Sequence, residues 1–230
     1  MKFTNLSIPS FSKQNIAVFV IVLFHIAGLP FIVYEPTRPL FLFATPFTLL
    51  LSATLLFWNH EDKSPSFMAF CTIAFGIGFG AEVIGVQTGI LFGDYKYSSI
   101  LGWKIGGVPL IIGTNWWMCT YSCGVVVNQF YPPNSKPTSF FFSLIPTFTK
   151  AFIGAILMLL LDIVIEPVAM KLDFWQWQNH QIPLLNYGTW FIASFFLLCL
   201  FFCLPFKKEN PVAVTLYLTL FLFFAILNFA

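Results

Sequence analysis

Charge is what this chain has least of. Eleven of its 230 residues are Lys or Arg and 9 are Asp or Glu, 9% in all, where an ordinary soluble domain carries about 25%. Such a chain cannot cover itself with a hydrated surface. The net charge of +2 is scattered, with no basic patch, which argues against nucleic acid or an acidic partner. Histidine is also scarce. His25, His60 and His180 are too few and too dispersed for the histidine boxes of a membrane di-iron hydroxylase or desaturase, which argues against oxygen chemistry. No Asp-x-x-x-Asp pair supports diphosphate–magnesium chemistry, and no glycine loop cradles a nucleotide. The last apolar run has no lysine to form a retinal Schiff base. Cys71, Cys119, Cys123, Cys199 and Cys203 all lie in apolar runs; the two i, i+4 pairs have no histidine beside them and read as packing residues rather than a metal site or a disulfide framework.

What is present is apolar. Hydrophobic residues make up 58% of the chain, in runs long enough to cross about 30 Å of hydrocarbon. Seven spans are expected, near 15–34, 39–58, 67–89, 109–130, 145–168, 188–206 and 211–228, so the predicted fold is an all-α transmembrane bundle in one domain over 1–230. Turn and breaker residues separate the spans, as in Glu35-Pro36-Thr37-Arg38-Pro39, His60 to Pro65, Tyr131 to Pro137, and Lys207 to Pro211. Pro109 and Pro211 occupy helix-starting positions. Lys2 and Lys13 precede the first run, but no small-residue cleavage site follows, so it reads as a span and not a signal peptide. With seven spans, one side receives Lys2, Lys13, Lys63, Lys136, Lys150, Lys207 and Lys208, and the other Arg38, Lys96, Lys104 and Lys171. The bias places the N-terminus on the cytoplasmic side of the cytoplasmic membrane.

Three acids fall inside these spans. Glu82 shares a helix face with Gly78, Gly85 and Gly89, a stripe suited to close helix approach or to a flat ligand beside the acid. Asp162 and Glu166 are i, i+4 on one face, and Pro167 predicts a kink or helix end there. Glu82 and Asp162 both lie roughly 22–26 Å along parallel helices, so the three carboxyls can share one pocket. Such a cluster is expected to titrate as a coupled set and keep a proton near neutral pH, which suits general acid and base work. The bland alternative is a hydrogen-bonded polar staple between helices. His25, near mid-membrane, is either a proton partner or a satisfied core histidine. Asp94 follows the glycine stripe and either acts on water or caps a turn. Gln87, Thr88, Thr114 and Asn115 can line the pocket, with His60 and His180 in loops. The stretches 94–104 and 171–188 mix aromatic and polar residues, as a site or as an interfacial aromatic belt.

The run Glu82-x2-Gly85-x3-Gly89-x2-Phe92-Gly93-Asp94-Tyr95-x-Tyr97, followed by Leu101-Gly102 and Val108-Pro109, resembles the CruF-type carotenoid hydratases, which include bisanhydrobacterioruberin hydratases and γ-carotene 1′-hydroxylases. Asp162-x3-Glu166-Pro167, Trp175-x-Trp177 and Pro183-x2-Asn186-Tyr187-x2-Trp190 extend the resemblance, which runs from His25 to Trp190. It implies a hydro-lyase without a cofactor or metal, adding water to the terminal C1′=C2′ bond of a ψ-end group. The substrate would be γ-carotene, lycopene or a bisanhydrobacterioruberin-like polyene. Catalytic candidates are then Glu82, Asp94, Asp162 and Glu166, with His25 as a relay. Substrate-binding candidates are Tyr95, Tyr97, Trp103, Asn115, Trp116, Trp175, Trp177 and Asn186, with Trp117 as a further aromatic face for the cation. Partners would be the carotenoid, membrane lipid and other enzymes of the pathway. Three rivals remain: a membrane lycopene cyclase, a proton-coupled transporter, and a structural protein of a pigment complex.

Overall fold

Capping side chains fix where three of the described helices begin. The computed structural model describes residues 12–131 and 140–230, with side chains of the second segment described from residue 145. Lys2, Lys136 and the proline-rich turn after Tyr131 lie outside the described residues. Among those described there are seven α-helices: α1 Lys13–Val33, α2 Arg38–Asn59, α3 Pro65–Thr88, α4 Ile111–Phe130, α5 Phe140–Lys171, α6 Leu184–Cys203 and α7 Pro211–Leu227. Asn15 N–H donates to Ser12 Oγ at 3.2 Å to start α1, and Val212 N–H donates to Asn210 Oδ1 at 3.2 Å to start α7. Pro65 and Pro211 are the first residues of their helices, where a missing N–H costs nothing. Pro109 does not start α4; it lies in a short strand.

Five helical segments are long and apolar enough to cross a membrane: Lys13–Val33, Glu35–Asn59, Pro65–Thr88, Ile145–Lys171 and Leu184–Cys203; Pro211–Leu227 is a shorter apolar helix. This is an integral membrane protein. The exception is α4, and its place explains its composition. It packs on α2, α3, α5, α6 and α7, and 14 of its 20 residues are buried. A helix surrounded by helices needs no lipid-loving surface, so it can carry Asn115, Thr120 and Ser122.

Two boundaries differ from expectation in ways that matter. α5 runs through Pro167 to Lys171. Its stop signal is Asp173, in the left-handed region at φ 56°, with Phe174 N–H returning to the Ala169 carbonyl at 2.9 Å. α6 begins at Leu184, which places Asn186 in its first turn and on one face with Trp190 and Ser194.

Two small ribbons close one end of the bundle. β1 (Tyr95–Tyr97) pairs antiparallel with β4 (Trp175–Trp177), in the register Tyr95 to Trp177 and Tyr97 to Trp175. β2 (Lys104–Ile105) pairs with β3 (Val108–Pro109) across Gly106-Gly107, whose φ values of 61° and 85° are those of a tight hairpin turn.

Candidate active site

The glycine stripe sets the first wall. A Cβ on Gly78 would lie 2.3 Å from Trp116 Cβ, and one on Gly85 2.4 Å from Phe92 and 3.1 Å from the Tyr95 hydroxyl. These glycines are filled by the protein's own aromatics, so they leave no room there for a flat ligand. What they provide is close approach. Trp116 Nε1 thereby donates to Glu82 Oε1 at 2.9 Å.

The β1–β4 ribbon sets the roof. Side chains two apart on a strand share a face, so Tyr95 and Tyr97 point down together, and so do Trp175 and Trp177. Tyr97 Oη donates to Glu82 Oε2 at 2.9 Å, and Tyr95 Oη donates to the same oxygen. Burial, then the nearby Glu82 charge, raises both phenols above the ordinary tyrosine range, so they remain donors. From the other strand, the indole N–H groups of Trp175 and Trp177 reach Glu166 Oε2 at 3.0 and 2.6 Å.

The third carboxyl lies one helical turn along α5. Asn186 Nδ2 donates to Asp162 Oδ2 at 2.9 Å and to Glu166 Oε1 at 3.3 Å, so one amide bridges both acids. Asp162 Oδ1 is buried without a partner. All three carboxyls are buried.

Between these walls lies a cavity of about 20 Å³, lined by Glu82, Glu166, Asn115 and Asn186 among a shell of aromatic rings. That volume admits a single water. Tyr95, Tyr97, Trp116, Trp175 and Trp177 all face it, and so does Trp190, which was not among the expected site residues. Trp190 stacks on Trp116 with ring centroids 4.2 Å apart. Its i, i+4 spacing from Asn186 was the available signal.

Several expected site residues lie elsewhere. His25 is on α1, which packs on α2 and α7; its Nδ1–H donates to the Ile21 carbonyl at 2.8 Å and its ring meets the Phe223 ring at 5.3 Å. Asp94 is exposed, its carboxyl over Gly89 at the end of α3, while its backbone carbonyl receives Gln178 N–H at 2.9 Å. Trp103 is 87% exposed beside the β2–β3 hairpin. Asp162 shares the Asn186 amide with Glu166 and does not line the cavity. Gln87 donates to the Gly106 carbonyl at 2.9 Å and Thr88 to that of Ile84 at 2.6 Å, outside the pocket. Thr114 and Trp117 face a different groove, between α2, α3 and α4. His60 lies in the connection between α2 and α3, as expected, and is buried at the opposite end of the bundle.

A family model described as "Carotenoid biosynthesis protein" matches residues 40–230. The chain belongs to the carotenoid biosynthesis protein family. That membership gives it a role in carotenoid biosynthesis, implies carotenoid substrates, and suggests an enzyme of the pathway. The match covers every residue lining the cavity. It also takes in α7, where the sequence shows no motif, and leaves out α1 and His25. No curated protein and no solved structure matches the chain.

Proposed function

We propose that this protein is a carotenoid hydratase, adding water to the terminal C1′=C2′ bond of a ψ-end group. One observation carries the reading: Glu82 and Glu166, each pinned by donors, line one water-sized cavity walled by aromatic rings. The reaction needs an acid, a base and a water, and the cavity supplies a place for each.

The donor pattern separates the roles. Glu82 accepts from Trp116, Tyr95 and Tyr97, with both oxygens engaged. It is arranged as an acceptor and takes the role of base. Glu166 and Asp162 share one amide, and Asp162 has an oxygen with no donor at all. This pair holds the mobile proton, and Glu166, the member on the cavity, delivers it. The proton of Glu166 forms the new C2′–H bond, the π electrons leave a tertiary cation at C1′, and the cavity water forms the C1′–O bond. Glu82 takes the proton released by that water, and it returns to Glu166 once the product leaves, so the balance is one water consumed. The π faces of Trp116, Trp177 and Trp190 stabilise the cation.

A cavity of about 20 Å³ cannot hold the end group itself, so a wall must yield. α3 and α6 meet only sparsely beside it, and that seam is the proposed entry for the polyene. On this reading residues 1–230 act as one integral-membrane domain with seven spans, including α4 and α7, and with the N-terminus cytoplasmic.

The test is a pigment profile from cells making lycopene or γ-carotene, with and without the chain, in water enriched in ¹⁸O. The expected product has gained the mass of one water, with the label in a tertiary hydroxyl. A cyclised product of unchanged mass identifies a cyclase. Unaltered pigment sinks the enzymatic reading and leaves transport or assembly. Normal product from both Glu82→Gln and Glu166→Gln rejects the assigned site while sparing the function.

A further inference from the structure

Most described lysines in this protein find an acceptor within the chain. Lys63, Lys104, Lys150 and Lys208 each donate to a carbonyl or amide oxygen, and Lys207 lies 3.8 Å from Glu61. At the ribbon end the solvent-facing Lys96 of β1 does not, and neither do two cations that face one cleft. Arg38, the first residue of α2, has its Nε anchored on the Ile32 carbonyl at 2.9 Å, but its two terminal nitrogens meet no acceptor among the described residues. The side chain of Lys171, the last residue of α5, makes no hydrogen bond or ion pair among the described residues.

Both face one cleft of about 80 Å³ between α1, α2, α5 and α7, whose remaining walls include Ile32, Val168, Leu227 and Ala230. Among the described residues no acidic side chain lines it, and the main-chain carboxyl of Ala230, in its wall, forms an ion pair with neither cation. Glu35, three residues before Arg38, forms no ion pair, and the Asp173 carboxylate accepts from Gln176 at 3.0 Å instead. Two like charges facing one small cleft repel unless an anion lies between them. The anchored Nε orients the guanidinium, whose planar fork suits a phosphate. The other walls are aliphatic, and the cleft lies at the ends of membrane-spanning helices, where phospholipid headgroups sit.

We propose that this cleft binds the phosphate of a membrane phospholipid, gripped by Arg38 and Lys171 with its glycerol and chains against the aliphatic walls. The proposal stands apart from the hydratase reading, since the cleft shares no residue with the carboxylate cavity.

The full chain, extracted in mild detergent, is assayed for retained phospholipid by native mass spectrometry and for binding of added short-chain phosphatidylglycerol. The wild type is expected to keep one phospholipid through detergent exchange. Losing both cations, in Arg38→Gln with Lys171→Gln, should weaken lipid binding about 30-fold, and Lys171→Gln alone about 5-fold. Lys171 is exposed and makes no contact whose loss would unfold the chain, which keeps the test open if the double variant is unstable. Lys13→Gln, at the opposite end, should change nothing. Inorganic phosphate should leave the unfolding midpoint unmoved where the lipid raises it; an equal rise overturns the lipid assignment in favour of a free anion. Undiminished lipid retention in both cleft variants, or equal loss from Lys13→Gln, overturns the site.

Discussion

Each end of this bundle buries a polar cluster among aromatic rings, and the two clusters use their hydrogen bonds differently. At the end away from the ribbons, His60 is stacked on Phe67 with ring centroids 3.7 Å apart, and its Nδ1 lies 2.7 Å from the Tyr121 hydroxyl. Asn210 caps α7 and also donates to the Leu56 carbonyl at 2.9 Å. Asp62 accepts from Lys207 N–H at 2.8 Å and Ser64 N–H at 3.0 Å. These bonds tie α2, α3, α4 and the start of α7 together. At the ribbon end, donors from α4, α6, β1 and β4 converge on carboxyls, two of which line a space. Hydrogen bonds that join one helix to the next act as a latch, whereas donors that converge on two carboxyls around a small space prepare a reaction.

The sharpest way to break that contrast is to neutralise the acids. Glu82→Gln or Glu166→Gln should lower product formation per folded protein by about 10²- to 10⁴-fold. His60→Phe, at the latch, should leave turnover within a few-fold while lowering the unfolding midpoint in detergent. Asp94→Asn and His25→Phe should retain wild-type turnover, because neither side chain reaches the cavity. A large loss from either would redraw the site.

A smaller effect tests the roof. Tyr97→Phe removes one donor from a buried carboxylate and should cost roughly 10- to 100-fold in turnover. Equal turnover would reduce the ribbon to a cover. The glycines give a contrast within one helix. Gly78→Ala forces a Cβ into Trp116 and should destabilise the protein by about 1–3 kcal/mol while displacing the Trp116 N–H from Glu82. Gly80 has open space around it, so Gly80→Ala should be neutral or stabilising by up to about 1 kcal/mol.

The mildest test is of pH at the latch. Burial, reinforced by the Lys63 charge, pushes the His60 imidazole down to about 4 from 6.5. The unfolded chain therefore binds this proton before the folded one does. The contribution of neutral His60 is complete above about pH 6.5 and is lost as pH falls toward about 4. Unfolding midpoints across that window should fall for wild type and fall less for His60→Phe.

Much of this was legible in residue order. The apolar runs named all seven helices, because helix formation answers to local periodicity and to caps such as Ser12, Ser64 and Asn210. Glu82, Asp162 and Glu166 stood out because a carboxyl is costly in an apolar helix. Asp94, Trp103 and Thr114 adjoin cavity residues in sequence, yet the chain turns each away from the cavity. His60 lies in the connection between α2 and α3, where residue order places it, and only packing shows that α3, α4 and the turn before α7 close over it.

The sequence by itself determined a membrane bundle of helices, three interior acids and membership of a carotenoid biosynthesis family, since each follows from composition, spacing or motif. Only the tertiary structure decided which aromatics serve those acids. Tyr95 meets Trp177, and Tyr97 meets Trp175, because two three-residue strands far apart in the chain pair in one register. Trp116 reaches Glu82 because Gly78 has no side chain to hold α4 away. Pairing and close approach are non-local. They depend on how finished helices pack, which the periodicity of any one helix does not contain.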